Sequence, residues 1–373
     1  MRSLLILASF LIASVASAQN IIKGRVVHEK SREPIAGASV FISNSTKGTV
    51  SKADGSFELV DVPTGSHDLV ASSIGYATLV FSYTTADLPL KVELQLQPRV
   101  TELESVTVEP DEANGWEKWG RFFVENFIGT MANAADCKLK NPKALRFKHS
   151  RKNNTLTVIA DEPLIIENKA LGYKIQYQLE DFTYDFKTRY LVFLGYTLFE
   201  DMDGRDRQKR RWAANRVTAF NGSLQHFMKS LYNDQLAADG YEVKRMRKQD
   251  NTEKLRIRAV YKARMDSLRA KGEVVRLGFG DSTAYYERIM GQPDQFDIIS
   301  PGILTADSLI TPGNGEIKTL FFENYLYITY RNEKEEEGYA RSSMPPHAPY
   351  FQRSTISLPA LNPISIDSLG NYS

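Results

Sequence analysis

Catalytic or metal chemistry in this sequence would have to come from a small set of side chains. There are five histidines (His28, His67, His149, His226 and His347) and one cysteine, Cys137. A zinc hydrolase holds its metal with a His-x-x-Glu pair and a distant histidine, leaving one coordination position for water. None of the five histidines has a glutamate three residues later, and none belongs to a His-Glu-x-x-His helix. Asp201-Met202-Asp203-Gly204-Arg205-Asp206 has the acidic spacing of a calcium loop, but such a loop wants glycine at position six and glutamate at twelve. Glycine falls at position four and Trp212 at twelve, so a solvated turn is expected. Gly280-Asp281-Ser282 offers a hydroxyl, yet no Asp-x-x-His follows to supply its base, and no Gly-x-Ser-x-Gly elbow or phosphate loop occurs. No catalytic residue, metal or cofactor is therefore expected.

The most distinctive polar stretch is residues 211–227. It places Trp212, Asn215, Arg216 and His226 close together in sequence, and these four are the candidates for a binding site. The competing reading is that each serves a helix face or the core. Two basic runs flank the stretch: Arg205, Arg207, Lys209, Arg210 and Arg211, then Lys244, Arg245, Arg247 and Lys248. They could meet phosphate groups of a lipid surface or form a solvated face. Overall, 47 Lys and Arg nearly balance 45 Asp and Glu, so no global field recommends nucleic acid.

The elements that must position these residues are mainly β with some α. Residues 22–96 show short period-two runs separated by turn residues, the pattern of a sandwich. Seven strands are predicted at 23–28, 39–42, 48–52, 57–60, 68–72, 77–83 and 91–96. Val26, Val40, Ile42, Phe57, Leu59, Leu69 and Leu79 should meet in the core. Asp54-Gly55 is the strongest turn signal. A helix is expected at 114–135, with Trp116, Trp119, Phe123 and Phe127 on one face. Antiparallel meander strands should follow, including a long hairpin that turns at Lys187-Thr188-Arg189. Ser223 should cap a helix that runs on until Gly240. Residues 255–260 read as a short strand and 261–271 as a basic helix; strands resume at 316–322 and 325–330, with a charged loop at 333–338. The whole is an α+β region with two or three helices, in domains at 19–98 (sandwich), 99–113 (linker), 114–340 and 341–373 (a Pro- and Ser-rich tail).

Residues 1–18 read as a secretory signal peptide: Arg2, an apolar run from Leu4 to Val15, then Ala16-Ser17-Ala18. The single cysteine excludes an internal disulfide, so stability must come from buried apolar area.

Gly24-x-Val26, Pro34-Ile35-x-Gly37-Ala38-x-Val40, Asp54-Gly55-x-Phe57-x-Leu59 and Ile74-Gly75-Tyr76 together resemble the carboxypeptidase-like regulatory domain, a transthyretin-like sandwich. In Gram-negative cells this module often precedes TonB-dependent outer-membrane receptors. The resemblance implies attachment or structural support rather than catalysis. It also implies an exported protein of the periplasm or outer membrane, with an envelope protein or glycan as partner. About 260 residues follow the linker, too few for a plug and a 22-stranded transporter barrel. A small barrel built from residues 173–330, or a hydrolase with a site around Asn215, Arg216 and His226, are the alternatives to a non-enzymatic binding protein.

Overall fold

The computed structural model describes residues 20–99, 110–270, 281–313, 316–342, 346–358 and 361–372. The expected signal segment, most of the expected linker and Gly280 lie outside these residues.

The N-terminal module contains β1 (Ile21–His28), β2 (Ser39–Ile42), β3 (Gly48–Val50), β4 (Ser56–Val60), β5 (Ser66–Ser72), β6 (Leu79–Thr84) and β7 (Leu90–Leu96). Each lies within two residues of its expected bounds. The strands form two sheets, β4-β1-β7 and β3-β2-β5-β6. Only β1 with β7 is parallel. Because side chains alternate across a strand, Val26, Val40, Ile42, Phe57, Leu59 and Leu69 all point into one buried cluster, with Leu79 at its margin. The Asp54-Gly55 turn requires glycine: φ is +77°, and a Cβ would stand 2.6 Å from the Val26 carbonyl.

Next comes α1 (Gly115–Phe127), which ends earlier than its aromatic spacing suggests because Gly129 adopts φ +99°. It packs on a six-stranded sheet of β8 (Cys137–Leu139), β9 (Leu145–Ser150), β10 (Thr155–Ala160), β11 (Leu164–Asn168), β12 (Tyr173–Asp185) and β13 (Tyr190–Asp201). β12 is central: β11 and β10 share one of its edges and β13 runs along the other. The helix face is core, as its spacing suggests, with Phe123 fully buried and Trp116, Trp119 and Phe127 around it. The hairpin turn at Lys187-Thr188-Arg189 is present, with the Asp185 carboxylate accepting from the Lys187 and Thr188 N–H groups.

Helices α2 (Asp206–Phe220) and α3 (Leu224–Tyr232) follow. Ser223 caps α3 as expected, its hydroxyl accepting from His226 N at 3.1 Å. The helix stops at Tyr232, short of Gly240, and Asp234 turns the chain with φ +54°. The remaining elements are β14 (Tyr241–Asp250), α4 (Thr252–Ala270), α5 (Asp281–Met290), β15 (Gln295–Ile303), β16 (Ile310–Pro312), β17 (Lys318–Leu320), β18 (Tyr325–Lys334), α6 (Glu337–Ser342), β19 (Phe351–Ile356) and β20 (Ile364–Ile366). They build two sheets, β15-β14-β18-β19 and β16-β17-β20. Phe227, Leu231, Val243, Leu326 and Ile366 share the core between these sheets and α3.

Several expectations fail here. Residues 255–260 lie inside α4, not in a strand: the buried Asn251 side chain accepts from Lys254 N at 3.0 Å and starts the helix. Six α-helices, not two or three, occur among the described residues. The expected charged loop at 333–338 is divided between β18 and α6. The segment read as a tail supplies β19 and β20, which complete two sheets. The strands between 173 and 330 fall into three separate sheets, none closed among the described residues, which corrects the barrel alternative.

Candidate functional site

The four candidate binding residues separate into two groups with different work. Trp212, Asn215 and Arg216 lie on α2 and face the turn between β11 and β12. The Trp212 indole donates to the Lys169 carbonyl at 3.0 Å, and the Asn215 amide donates to the Ala170 carbonyl at 2.7 Å. The Arg216 guanidinium donates to the carbonyls of Leu171 (2.8 Å) and Gly172 (3.1 Å) and to the Asp201 carboxylate (2.7 Å). It also covers the Tyr173 ring at 3.6 Å. Four successive carbonyls of one turn are thus read in order by three side chains of one helix. Gly172, with φ +70°, lets the indole close in: a Cβ there would stand 2.1 Å from the ring. The arrangement is a clamp on one turn, and Asp201 is part of it.

His226 belongs elsewhere. Its Nδ1 accepts from Gly222 N at 3.0 Å and faces the Tyr241 hydroxyl at 3.0 Å, which leaves the ring proton on Nε2. Nε2 is 3.9 Å from Asp239 Oδ2. Burial pushes the imidazole below its ordinary pKa, against the attraction of Asp239, while burial of Tyr241 keeps its hydroxyl protonated. Ser230 is fully buried and has Asp239 Oδ2 at 2.6 Å and the His226 carbonyl at 2.9 Å, so its single proton is already committed. Serine, histidine and aspartate therefore meet without forming a nucleophile–base pair. Cys137 is similarly quiet: its thiol lies 3.4 Å from the Asn133 carbonyl, and burial raises its pKa.

The more open site is one that the sequence does not announce, the junction of the sandwich with the rest of the chain. Phe41 and Val70 of the sandwich pack on Leu198 of β13, with Val80 and Tyr196 beside them. Backbone bonds reinforce the contact, Asn44 N to Thr197 O at 2.7 Å and Phe199 N to Ser45 O at 2.9 Å. A second connection is made by Asp367, which is 2% exposed. Its carboxylate accepts from Ser66 N of the sandwich at 3.1 Å and from Leu369 N, Asn371 N and Asn371 Nδ2 at 2.9 Å. Gly65 makes room for it, since a Cβ at that position would stand 2.1 Å from the carboxylate.

Beside the Asp367 connection lies a cleft of about 950 Å³. Hydroxyls of Thr64, Thr84, Thr319 and Ser365 line it together with the carboxylates of Asp87 and Glu316. No lysine or arginine lines it among the described residues. Thr84 donates to Asp87 through both N–H (2.7 Å) and hydroxyl (2.8 Å), and these bonds hold the Asp87 carboxyl below its usual pKa. The cleft wall is hence neutral to anionic and rich in donors and acceptors. Asp367-Ser368-Leu369-Gly370-Asn371 at its edge is a run whose side chains favour a self-capping turn, a local signal that does not announce the cleft.

Comparison with known proteins places the module but not the remainder. No curated protein matches the chain. Among solved structures, a type II cohesin–X-dockerin complex from Acetivibrio cellulolyticus is similar at 21% identity and a TM-score of 0.19, over 21% of this chain and 58% of that one. The chain thus spans little more than half of that relative. A carbohydrate-binding candidate from Bacteroides uniformis has 10% identity and a TM-score of 0.18, over 49% and 79% of the two chains. A membrane-associated candidate of unknown function from Bacteroides fragilis has 10% identity and a TM-score of 0.18, over 84% and 88%. A family model for the CarboxypepD_reg-like domain matches residues 22–108. The chain therefore carries a CarboxypepD_reg-like domain, built as the seven-stranded sandwich that Asp367 and β13 hold in place.

Proposed function

We propose that this is a non-enzymatic, exported cell-envelope protein that binds a neutral, hydroxyl-rich ligand, such as a segment of glycan, in the cleft between its sandwich and its C-terminal sheet. The observation that carries the reading is the cleft lining: side-chain hydroxyls and the carboxylates of Asp87, Glu316 and Asp367, with no cation among the described residues. Such a surface offers hydrogen bonds to many hydroxyls and repels phosphate or sulfate. The commitment of His226, Tyr241 and Ser230 to internal bonds supports a binding rather than a hydrolytic role. The matched domain is of regulatory rather than peptidase type, which fits the same reading.

Titration calorimetry of the mature chain against a panel of envelope glycans and anionic sugars tests it. Ser368 lines the cleft and is exposed, so Ser368→Trp should fill the opening and weaken glycan binding at least tenfold while leaving the fold intact. Undiminished affinity in that variant, or a preference for anionic sugars, would move the ligand elsewhere. Fractionation of the producing cells checks the export that the N-terminal residues suggest.

A further inference from the structure

Away from the cleft, the strand pair β14–β15 continues beyond the sheet that contains it. Pairing of β14 with β18 covers Tyr241 to Met246, whereas pairing with β15 runs on through Asp250. Residues 247–250 and all nine residues of β15 are exposed. The result is a two-stranded ribbon, an arrangement that is marginal in water on its own, with α4 and α5 inserted at its end.

Register decides which side chains share a face. Arg247 is opposite Ile298 and Gln249 is opposite Phe296, and Arg245, two residues before Arg247 on the same strand, faces the same way. Phe296 is 40% and Ile298 39% exposed. Arg245 and Arg247 are exposed, and neither has a carboxylate partner among the described residues. The ribbon and its root, where Arg245 is still opposite Leu326, thus carry on one face two unpaired guanidinium groups beside an aromatic and a β-branched side chain.

We infer that this ribbon face docks on an anionic lipid surface, with Arg245 and Arg247 meeting headgroup phosphates while Phe296 and Ile298 enter the boundary with the acyl chains. Charge complementarity chooses the occupant. A second copy stacked on this face would set the two arginines against identical cations, and like charges in contact disfavour that pairing. An acidic peptide would engage the cations but would offer nothing for the two apolar side chains. A lipid interface supplies both chemistries at once, in the manner of other peripheral segments that combine cations with exposed apolar groups. No helix among the described residues is long and apolar enough to cross a membrane. The proposal is independent of the cleft and its ligand.

Co-sedimentation of the full mature chain with vesicles tests it, using phosphatidylcholine alone and phosphatidylcholine mixed with phosphatidylglycerol. Binding is expected only to the mixed vesicles and should weaken as salt is raised. Each cation near such a surface is worth a few-fold in affinity, so Arg245→Gln with Arg247→Gln should weaken binding roughly 30-fold. Phe296→Ser with Ile298→Ser should weaken it while keeping the salt dependence. All four positions are exposed, and matching circular dichroism spectra establish that the variants fold. Equal binding to both kinds of vesicle, or unchanged binding by the arginine variant, would overturn the assignment. So would light scattering that shows a dimer lost in the serine variant, since the face would then be occupied by a second copy.

Discussion

Within residues 21–96 every strand of the sandwich finds its neighbours from the same short stretch of chain: β1 pairs with β4 and β7, and β2 with β3 and β5. In the C-terminal region the partners are far apart. β14 must wait for β18 across α4 and α5, β17 is completed by β20, and Ser66 of the sandwich meets Asp367, 301 residues away. This difference governs what polar side chains do. In the sandwich they mostly cap turns, as Asp54 does for Ser56. Beyond it they tie remote backbone together, which is why Trp212, Asn215 and Arg216 look like a site in sequence and behave as a clamp in space.

The contrast can be broken most forcefully at the clamp. Trp212→Ala removes a buried indole and leaves the Lys169 carbonyl unpaired, at an expected cost of about 3–5 kcal/mol. Urea unfolding followed by far-UV dichroism should show that loss in a transition belonging to the second region, with the sandwich transition unmoved. A single transition that shifts as a whole would mean that the two regions unfold together. Asp367→Ala should have the next largest effect, about 1–3 kcal/mol, because three backbone N–H groups and the Asn371 side-chain amide lose their acceptor. Limited proteolysis should then release residues around 366–372, and the sandwich should melt apart from the remainder. Unchanged protection of that segment would show that the contacts of β12 and β13 with the sandwich suffice to hold the junction.

Titration gives a smaller and pH-dependent contrast. Burial depresses His226 below the ordinary histidine value of 6.5. Above 6.5 both folded and unfolded forms are neutral and this group's stabilising effect is complete. Below 6.5 the unfolded chain takes up a proton that the folded ring refuses, so stability falls until the folded pKa is reached and then levels off. His226→Gln retains an acceptor for Gly222 N and should flatten this slope below pH 6.5, read as urea midpoints at a series of pH values. A slope of the same steepness in the variant would assign it to other groups. The smallest effect has the opposite sign and lies in the sandwich. The buried Tyr83 hydroxyl has no hydrogen-bond partner among the described residues. Tyr83→Phe removes that polar burden and should raise stability by up to about 1 kcal/mol in a thermal melt; a decrease would reveal a bond to this hydroxyl in solution.

Legibility follows the same division. Alternation and the Asp54-Gly55 turn were enough for all seven sandwich strands, since both signals act over a few residues. The aromatic stripe of α1 and the Ser223 cap were equally readable, for the same reason. Leu255, Ile257 and Val260 suggested a strand, but a cap from Asn251 and the burial of Ile257 carried the segment into α4. The cleft was not readable at all. It exists only because Thr64 and Thr84 from the first module are brought to Thr319 and Ser365 from the last sheet, and no local pattern encodes that meeting.

The bond between Ser66 and Asp367 also sets an order of events in the making of the protein. At roughly 5–20 residues per second, a ribosome reaches Asp367 on the order of half a minute after Ser66. The sandwich, with its short-range pairing, has time to fold well before its fastening is synthesised. Throughout that interval the contacts of β12 and β13 with the sandwich are the ones already in place, Ser72 to Gln178, Thr78 to Glu180 and Phe41 and Val70 to Leu198.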